Sequence, residues 1–154
     1  MAIYEEYYEE VKDAAGRIVR VETRYPQDFN FAYDVVDQIA LRTPDRTALV
    51  HRSSDGKRTV LSFGDLKRLS DRTANALRSL GIVKGDAVML LLKRRYEFWV
   101  IILALHKLGA VAVPTSHMVS SEDIRERVKK SRAKAIFCVG EESICQRVEN
   151  AIAG

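Results

Sequence analysis

Between Ala87 and Pro114 the apolar positions come in unbroken runs, AVMLLLKRRYEFWVIILALHKLGAVAVP, and the rest of the chain is arranged around them. Ala87 to Leu92 is too short for a helix of its own and does not alternate, the pattern of a strand buried on both faces. Tyr96 to Leu108 is long enough for a helix, and Gly109 stands where a left-handed residue would end it. Ala110 to Val113 is a second short strand, stopped by Pro114. Two buried strands joined by a helix make a parallel crossover unit. The joining helix carries Phe98, Trp99, Val100, Ile101, Ile102, Leu103 and Leu105 around most of its circumference. A helix apolar on every side is one buried inside a larger body, so the pattern predicts more covering structure than this chain supplies.

The flanking segments are patterned differently. Ile3, Tyr7, Val11 and Ala14 or Ala15 recur at helical spacing and predict an amphipathic helix over residues 2–15, followed by an extended connector from Arg17 to Pro26. Asn30 is placed to cap a helix from Phe31 to Arg42, with Ala32, Val35, Val36, Ile39 and Ala40 on one face and Pro44 beyond its end. Thr47 to Arg52 and Arg58 to Phe63 flank an Asp55-Gly56 turn and read as a hairpin. Ser62 and Asp65 form a capping pair for a helix through Leu66, Leu69, Thr73, Leu77 and Leu80, closed by Gly81. After Pro114 comes a loop, Thr115 to Val119. Ser120 or Ser121 then caps a helix with Glu122 and Asp123 in its first turn, where acidic groups suit the dipole. Lys134 to Val139 is a third buried strand and Ser143 to Ile152 a last helix.

From residue 62 onward the order is α-β-α-β-α-β-α. This alternation predicts a three-layer α/β/α architecture with a mostly parallel sheet, preceded by an N-terminal helix and a β-hairpin. It divides the chain into residues 1–28, helix and connector, and residues 29–154, an incomplete α/β unit. Ligands of such sheets gather at the carboxyl ends of the strands. Here those ends are Lys93-Arg94-Arg95, Thr115-Ser116-His117-Met118 and Gly140-Glu141-Glu142.

Composition narrows the class. The 154 residues are 47% hydrophobic and 30% charged, values of a globular rather than a disordered chain. The net charge of +4 is modest, and no dense basic block interleaves with aromatics, which argues against a nucleic-acid partner. The acidic N-terminus MAIYEEYYEE has no apolar core of the kind a signal peptide needs. The longest apolar run is well short of the ~18 residues of a spanning helix. No membrane span and a cytoplasmic location are therefore expected. Cys138 reads as a buried free thiol, and its spacing from Cys145 does not match a zinc site.

No Gly-x-Gly-x-x-Gly, Walker-type loop or Gly-x-Ser-x-Gly elbow is present. His51, His106 and His117 share no metal-ligand spacing, and no metal site is expected. His106 reads as a satisfied core histidine, Trp99 as a core anchor, and Lys93-Arg94-Arg95 as a solvated turn able to meet an anion. No catalytic residue follows from spacing or residue chemistry.

The order of the segments carries more. Asn30 to Asp37, Pro44-Asp45, Leu80-Gly81 with Lys84-Gly85-Asp86, Glu97-Phe98-Trp99, Gly109-Ala110-Val111 and Ala133-Lys134-Ala135 follow one another as in AMP-forming acyl-CoA synthetases. Residues 29–139 closely resemble the N-terminal portion of that adenylate-forming superfamily, most of all its medium-chain branch. The resemblance implies a parent ligase that uses ATP and magnesium to turn a carboxylic acid into an acyl-adenylate, releasing pyrophosphate. A CoA thiol then displaces AMP. It also implies that the Thr/Ser/Gly-rich phosphate loop, the ribose-binding aspartate and the catalytic lysine lie downstream of the matching region. The chain is thus expected to be an N-terminal piece, inactive alone and needing no cofactor by itself. The alternative is a non-catalytic interaction module derived from that fold, pairing with the missing remainder or with itself. One family position carries over: a glutamine at the CoA side of the loop after the strand-end proline corresponds to Met118, with Ser116 and His117 as neighbouring candidates. Methionine lacks the amide hydrogen bonds of glutamine and has only apolar contact to offer.

Overall fold

The computed structural model describes residues 6–153. Its first element corrects the expectation of an N-terminal helix. Strands β1 (Tyr8–Lys12) and β2 (Ile18–Thr23) pair antiparallel, so the stretch read as helix and connector is a hairpin; the part of that helix before Glu6 lies outside the described residues. Asp13 decides the outcome. Its carboxylate accepts from the backbone of Ala15 at 2.9 Å and of Arg17 at 3.0 Å, and Gly16 takes φ 77°, a local turn that competes with helix. The β-branched Ile18, Val19 and Val21 then favour extended backbone. Tyr7 fastens the hairpin to the body, its ring edge-on to Phe29 at 4.9 Å.

Asn30 caps the next element as expected. Its side-chain oxygen accepts from Ala32 N at 3.0 Å and Tyr33 N at 3.4 Å, while its Nδ2 donates to the His106 carbonyl at 2.7 Å. The cap therefore also ties this helix to the far end of another. The first turns, Phe31–Asp37, are π-helical and put Asp37 inside with Ala32 and Val36; α1 (Gln38–Arg42) continues them. Strands β3 (Thr47–Arg52) and β4 (Arg58–Ser62) form the expected hairpin. Helix α2 (Phe63–Ser79) starts in a complete capping box, Ser62 with Asp65.

Three parallel strands make the central sheet. β5 (Ala87–Leu91) lies between β6 (Val111–Pro114) and β7 (Ala133–Cys138). α3 (Glu97–Leu108) joins β5 to β6, α4 (Ser121–Ser131) joins β6 to β7, and α5 (Glu142–Ile152) follows. Every residue of β5 is buried, which is why its sequence does not alternate. Val88, Leu90 and Leu92 face α2 and α3, meeting Ala74, Leu77, Ala104 and Leu105. Met89 and Leu91 face the opposite layer, meeting Ile124 of α4 and Val148 and Ala151 of α5. The expected three-layer α/β/α order is thus present. Among the described residues, β6 and β7 each pair on one side only.

The all-round apolar character of α3 has a local cause. Its Leu105 and Ala104 pack on the sheet, while Val100 and Leu103 pack against Ala32, Val36 and Leu66. The helix is sandwiched within this chain over most of its length. Trp99 is the exception: it is 51% exposed, with its ring edge-on to Phe98 at 5.4 Å. It is a surface residue at the start of α3, not the core anchor expected, because the hairpin and sheet leave that corner uncovered.

His106 also departs from expectation. Among the described residues its Nδ1 is buried without a hydrogen-bond partner, so it is not a satisfied core histidine. Burial pushes its pKa below the ordinary histidine value. The unfolded imidazole therefore takes up its proton first as pH falls, and stability should decline as pH drops through about 6.5. The slope ends once pH passes below the folded value. Urea midpoints at pH 7.5 and 5.5 check this: His106→Gln should flatten the difference, and an unchanged difference would assign it to other groups.

Candidate functional site

The carboxyl ends of the three strands meet at one edge of the sheet. Leu90 and Leu92, with Lys93 and Arg94 beyond β5, form one wall of a cavity of about 320 Å³. Pro114, Thr115, Ser116 and His117 beyond β6 form the other, and Phe98 from α3 closes it. Lys93 turns the chain at φ 52°, a left-handed conformation unusual for a residue with a side chain. Its ammonium donates to the Glu141 carboxylate, which brings the end of β7 to the same place. The Lys93 hydrogen bond outweighs desolvation and, with the Lys93, Arg95 and His117 charges, holds the Glu141 carboxyl below the usual range. The edge is electropositive, with apolar side chains underneath.

Of the residues expected at the CoA-side loop, Ser116 and His117 line this cavity and Met118 does not. Met118 is 77% exposed, and its backbone N–H donates to the Ser116 Oγ at 3.2 Å. That bond ties the loop to itself and leaves the methionine side chain at the surface.

A second cavity of about 380 Å³ lies on the other side of the Lys93–Phe98 turn. It shares Lys93, Arg94 and Phe98 with the first and adds Leu49, Val50, His51, Arg95, Tyr96 and Trp99. The hairpin strand β3 supplies its far wall: His51 Nε2 hydrogen-bonds the Arg94 carbonyl at 3.0 Å, and the His51 and Tyr96 rings meet edge-on at 5.7 Å. Nothing in the spacing of His51 announces this, because the contact spans from a hairpin strand to a turn far along the chain.

This edge offers cations, a hydroxyl and apolar walls, suited to an anion attached to an apolar group. Among the described residues no group of three or more His, Cys, Asp or Glu could hold a metal ion. No helix among them is long and apolar enough to cross a membrane.

Comparison with known proteins fits this architecture. Residues 36–153 match the model of the AMP-binding enzyme family. The mouse protein described as acyl-coenzyme A synthetase ACSM4, mitochondrial, is 34% identical over 141 residues, which cover 88% of this chain and 24% of the relative. Acetyl-coenzyme A synthetase 2 of Eremothecium gossypii is 33% identical over 115 residues, covering 74% of this chain and 17% of that one. Among solved structures, an acyl-CoA synthetase of Brucella canis superimposes with a TM-score of 0.71 at 32% identity, over 79% of this chain and 22% of its own. The N-terminal domain of FACL13 from Mycobacterium tuberculosis gives 0.69 at 27% identity, over 78% and 29%. The chain thus spans about a quarter of the length of the mouse relative. It belongs to the AMP-binding enzyme family and resembles the N-terminal part of its acyl-CoA synthetases.

Proposed function

We propose that this chain is the scaffold portion of an AMP-forming acyl-CoA synthetase, the part that backs the acid and CoA clefts, and that it does not turn over alone. One observation carries the reading: the family match runs over residues 36–153, yet the edge it builds holds cations and apolar walls and no assembled reacting groups. In the parent reaction ATP and magnesium would convert the acid to an acyl-adenylate, a better acyl donor than the carboxylate. Among the described residues no assembled site fits those two groups. The sequence has no phosphate loop, and the described residues have no acidic cluster for a metal.

CoA fits better. Lys93 and Arg94 would meet an anionic group, Ser116 and His117 would offer hydrogen bonds, and Phe98 and Leu90 would pack against the chain leading to the thiol. CoA would supply the nucleophile that accepts the acyl group. Met118 would line the approach by apolar contact alone.

The test is pyrophosphate release from the purified chain with ATP, magnesium and short- to medium-chain acids. No turnover is expected. Turnover with no added protein would overturn the inactivity, and calorimetry showing no CoA uptake would overturn the CoA-side role. A second reading, a non-catalytic interaction module, is favoured by the exposed Val111 on the open β6 edge and by the half-exposed Trp99. A chain that is monomeric by light scattering, alone and with candidate partner chains, argues against it.

A further inference from the structure

Two thiols that the site does not use stand at either end of a tight turn. Cys138 closes β7, and Cys145 lies in the first turn of α5. The turn between them is well anchored. Val139 N donates to the Leu91 carbonyl at 3.2 Å, and Ile144 N and Cys145 N both donate to the Glu141 carbonyl, at 2.8 and 2.9 Å. The Cys145 thiol lies 3.6 Å from the Val139 carbonyl, to which it donates. That contact sets the Cys145 sulfur against the residue that follows Cys138, so the two cysteines are near neighbours in space. Both are free thiols and neither is fully buried, so a small reagent can approach them. Burial, and next the nearby Cys145, push the Cys138 thiol up, which makes Cys138 the poorer first attacker.

We propose that Cys138 and Cys145 are a redox modification site, forming a reversible intrachain disulfide with a low-molecular-weight disulfide such as glutathione disulfide as oxidant. In the first step the Cys145 sulfur, having lost its proton, attacks one sulfur of glutathione disulfide. A bond forms between Cys145 and glutathione, and the second glutathione leaves as thiolate and takes up that proton. In the second step the Cys138 sulfur gives up its proton and attacks the Cys145 sulfur of the mixed disulfide. The protein disulfide forms, and the remaining glutathione leaves as thiolate and is protonated. Two protein thiols are oxidised and one glutathione disulfide is reduced to two glutathione thiols. The covalent loop is short, so it removes little freedom from the unfolded chain and is expected to be readily reduced. Its local effect is larger. It locks the turn that carries Glu141, whose carboxylate holds Lys93 at the mouth of the strand-end cavity.

The experiment incubates the whole chain with glutathione disulfide, denatures it in acid, alkylates it with a maleimide and weighs it. The expected product has lost two hydrogens, carries neither maleimide nor glutathione, runs as a monomer on a non-reducing gel and reverts with dithiothreitol. Cys138→Ser should instead retain one glutathione, since Cys145 attacks and nothing resolves the mixed disulfide. Wild-type protein that keeps glutathione, stays fully alkylatable or crosslinks into dimers overturns the proposal. Should Cys138→Ser not fold, amide exchange of wild-type protein serves in its place. Amides in the first turn of α5 should exchange about tenfold more slowly when oxidised, and equal rates sink the idea.

Discussion

Replacing Lys107 by methionine should destabilise the fold by about 3 kcal/mol, read from urea midpoints at neutral pH. The Lys107 side chain is 2% exposed, and its ammonium lies 2.9 Å from Asp37, which is 8% exposed, and 2.6 Å from Asp71. It also sits 5.5 Å above the Tyr33 ring. This cation joins three elements: the end of α3, the π-helical turn and α2. Methionine fills the stem's volume but leaves the Asp37 carboxylate buried with, among the described residues, only Lys67 at 3.5 Å. Removing one partner of a buried pair is costly because the remaining charge is stranded; replacing both by apolar groups is often neutral. The double variant Lys107→Met with Asp37→Leu should therefore recover most of the loss. A double variant as unstable as the single one would show that the ion pair, not the stranded charge, sets the energy.

The same cluster fixes a pH dependence. Burial pushes the Asp71 carboxyl up, but the hydrogen bonds and charges of Lys107 and Lys67 outweigh it and hold it below the ordinary range. The folded value lies under the unfolded one. Its contribution is present above pH ~4 and fades as pH falls further. In Lys107→Met that acid-side slope should shrink, and Lys67, still bonded to Asp71 at 2.7 Å, should keep part of it.

None of this cluster is announced by the linear pattern. Asp37 stands in the middle of a helix whose apolar face was legible, and Lys107 looks like any charge near a helix end. They meet because the Asn30 cap fastens the first helix beside the last turn of α3. Strands β3 to β7, the helices from residue 62 onward and the Ser62–Asp65 capping pair could be read directly, because each follows from local period and turn chemistry. The N-terminal hairpin could not, since Tyr7, Val11 and Ala14 or Ala15 fit a helical spacing until Asp13 is seen to bond the backbone ahead of it. At the site, the three strand ends were legible from the order of elements. The part played by His51 and the surface position of Trp99 were not, as both depend on how the β3–β4 hairpin sits against α3.

The position of a leucine relative to that site should also set what its removal costs. Leu105 and Leu90 belong to one cluster and are almost completely buried. Leu105 packs inside the α3–sheet layer and borders neither strand-end cavity, whereas Leu90 lines the one between β5 and β6. A Leu→Ala cost is the lost transfer energy plus a term for the void, which grows where the surroundings cannot collapse or fill. Leu105→Ala should leave a closed void and cost about 4 kcal/mol, while Leu90→Ala enlarges an existing open cavity that water can enter and should cost about 2–3 kcal/mol. Leu41, exposed on α1, should cost under about 0.5 kcal/mol. Urea unfolding of the three variants ranks them. Because a loss of 4 kcal/mol can exhaust the margin of a small domain, Leu105→Met provides a milder step at the same position. If Leu90→Ala proved as damaging as Leu105→Ala, the strand-end cavity would have to be closed to solvent, and its role as a ligand site would lose its physical basis.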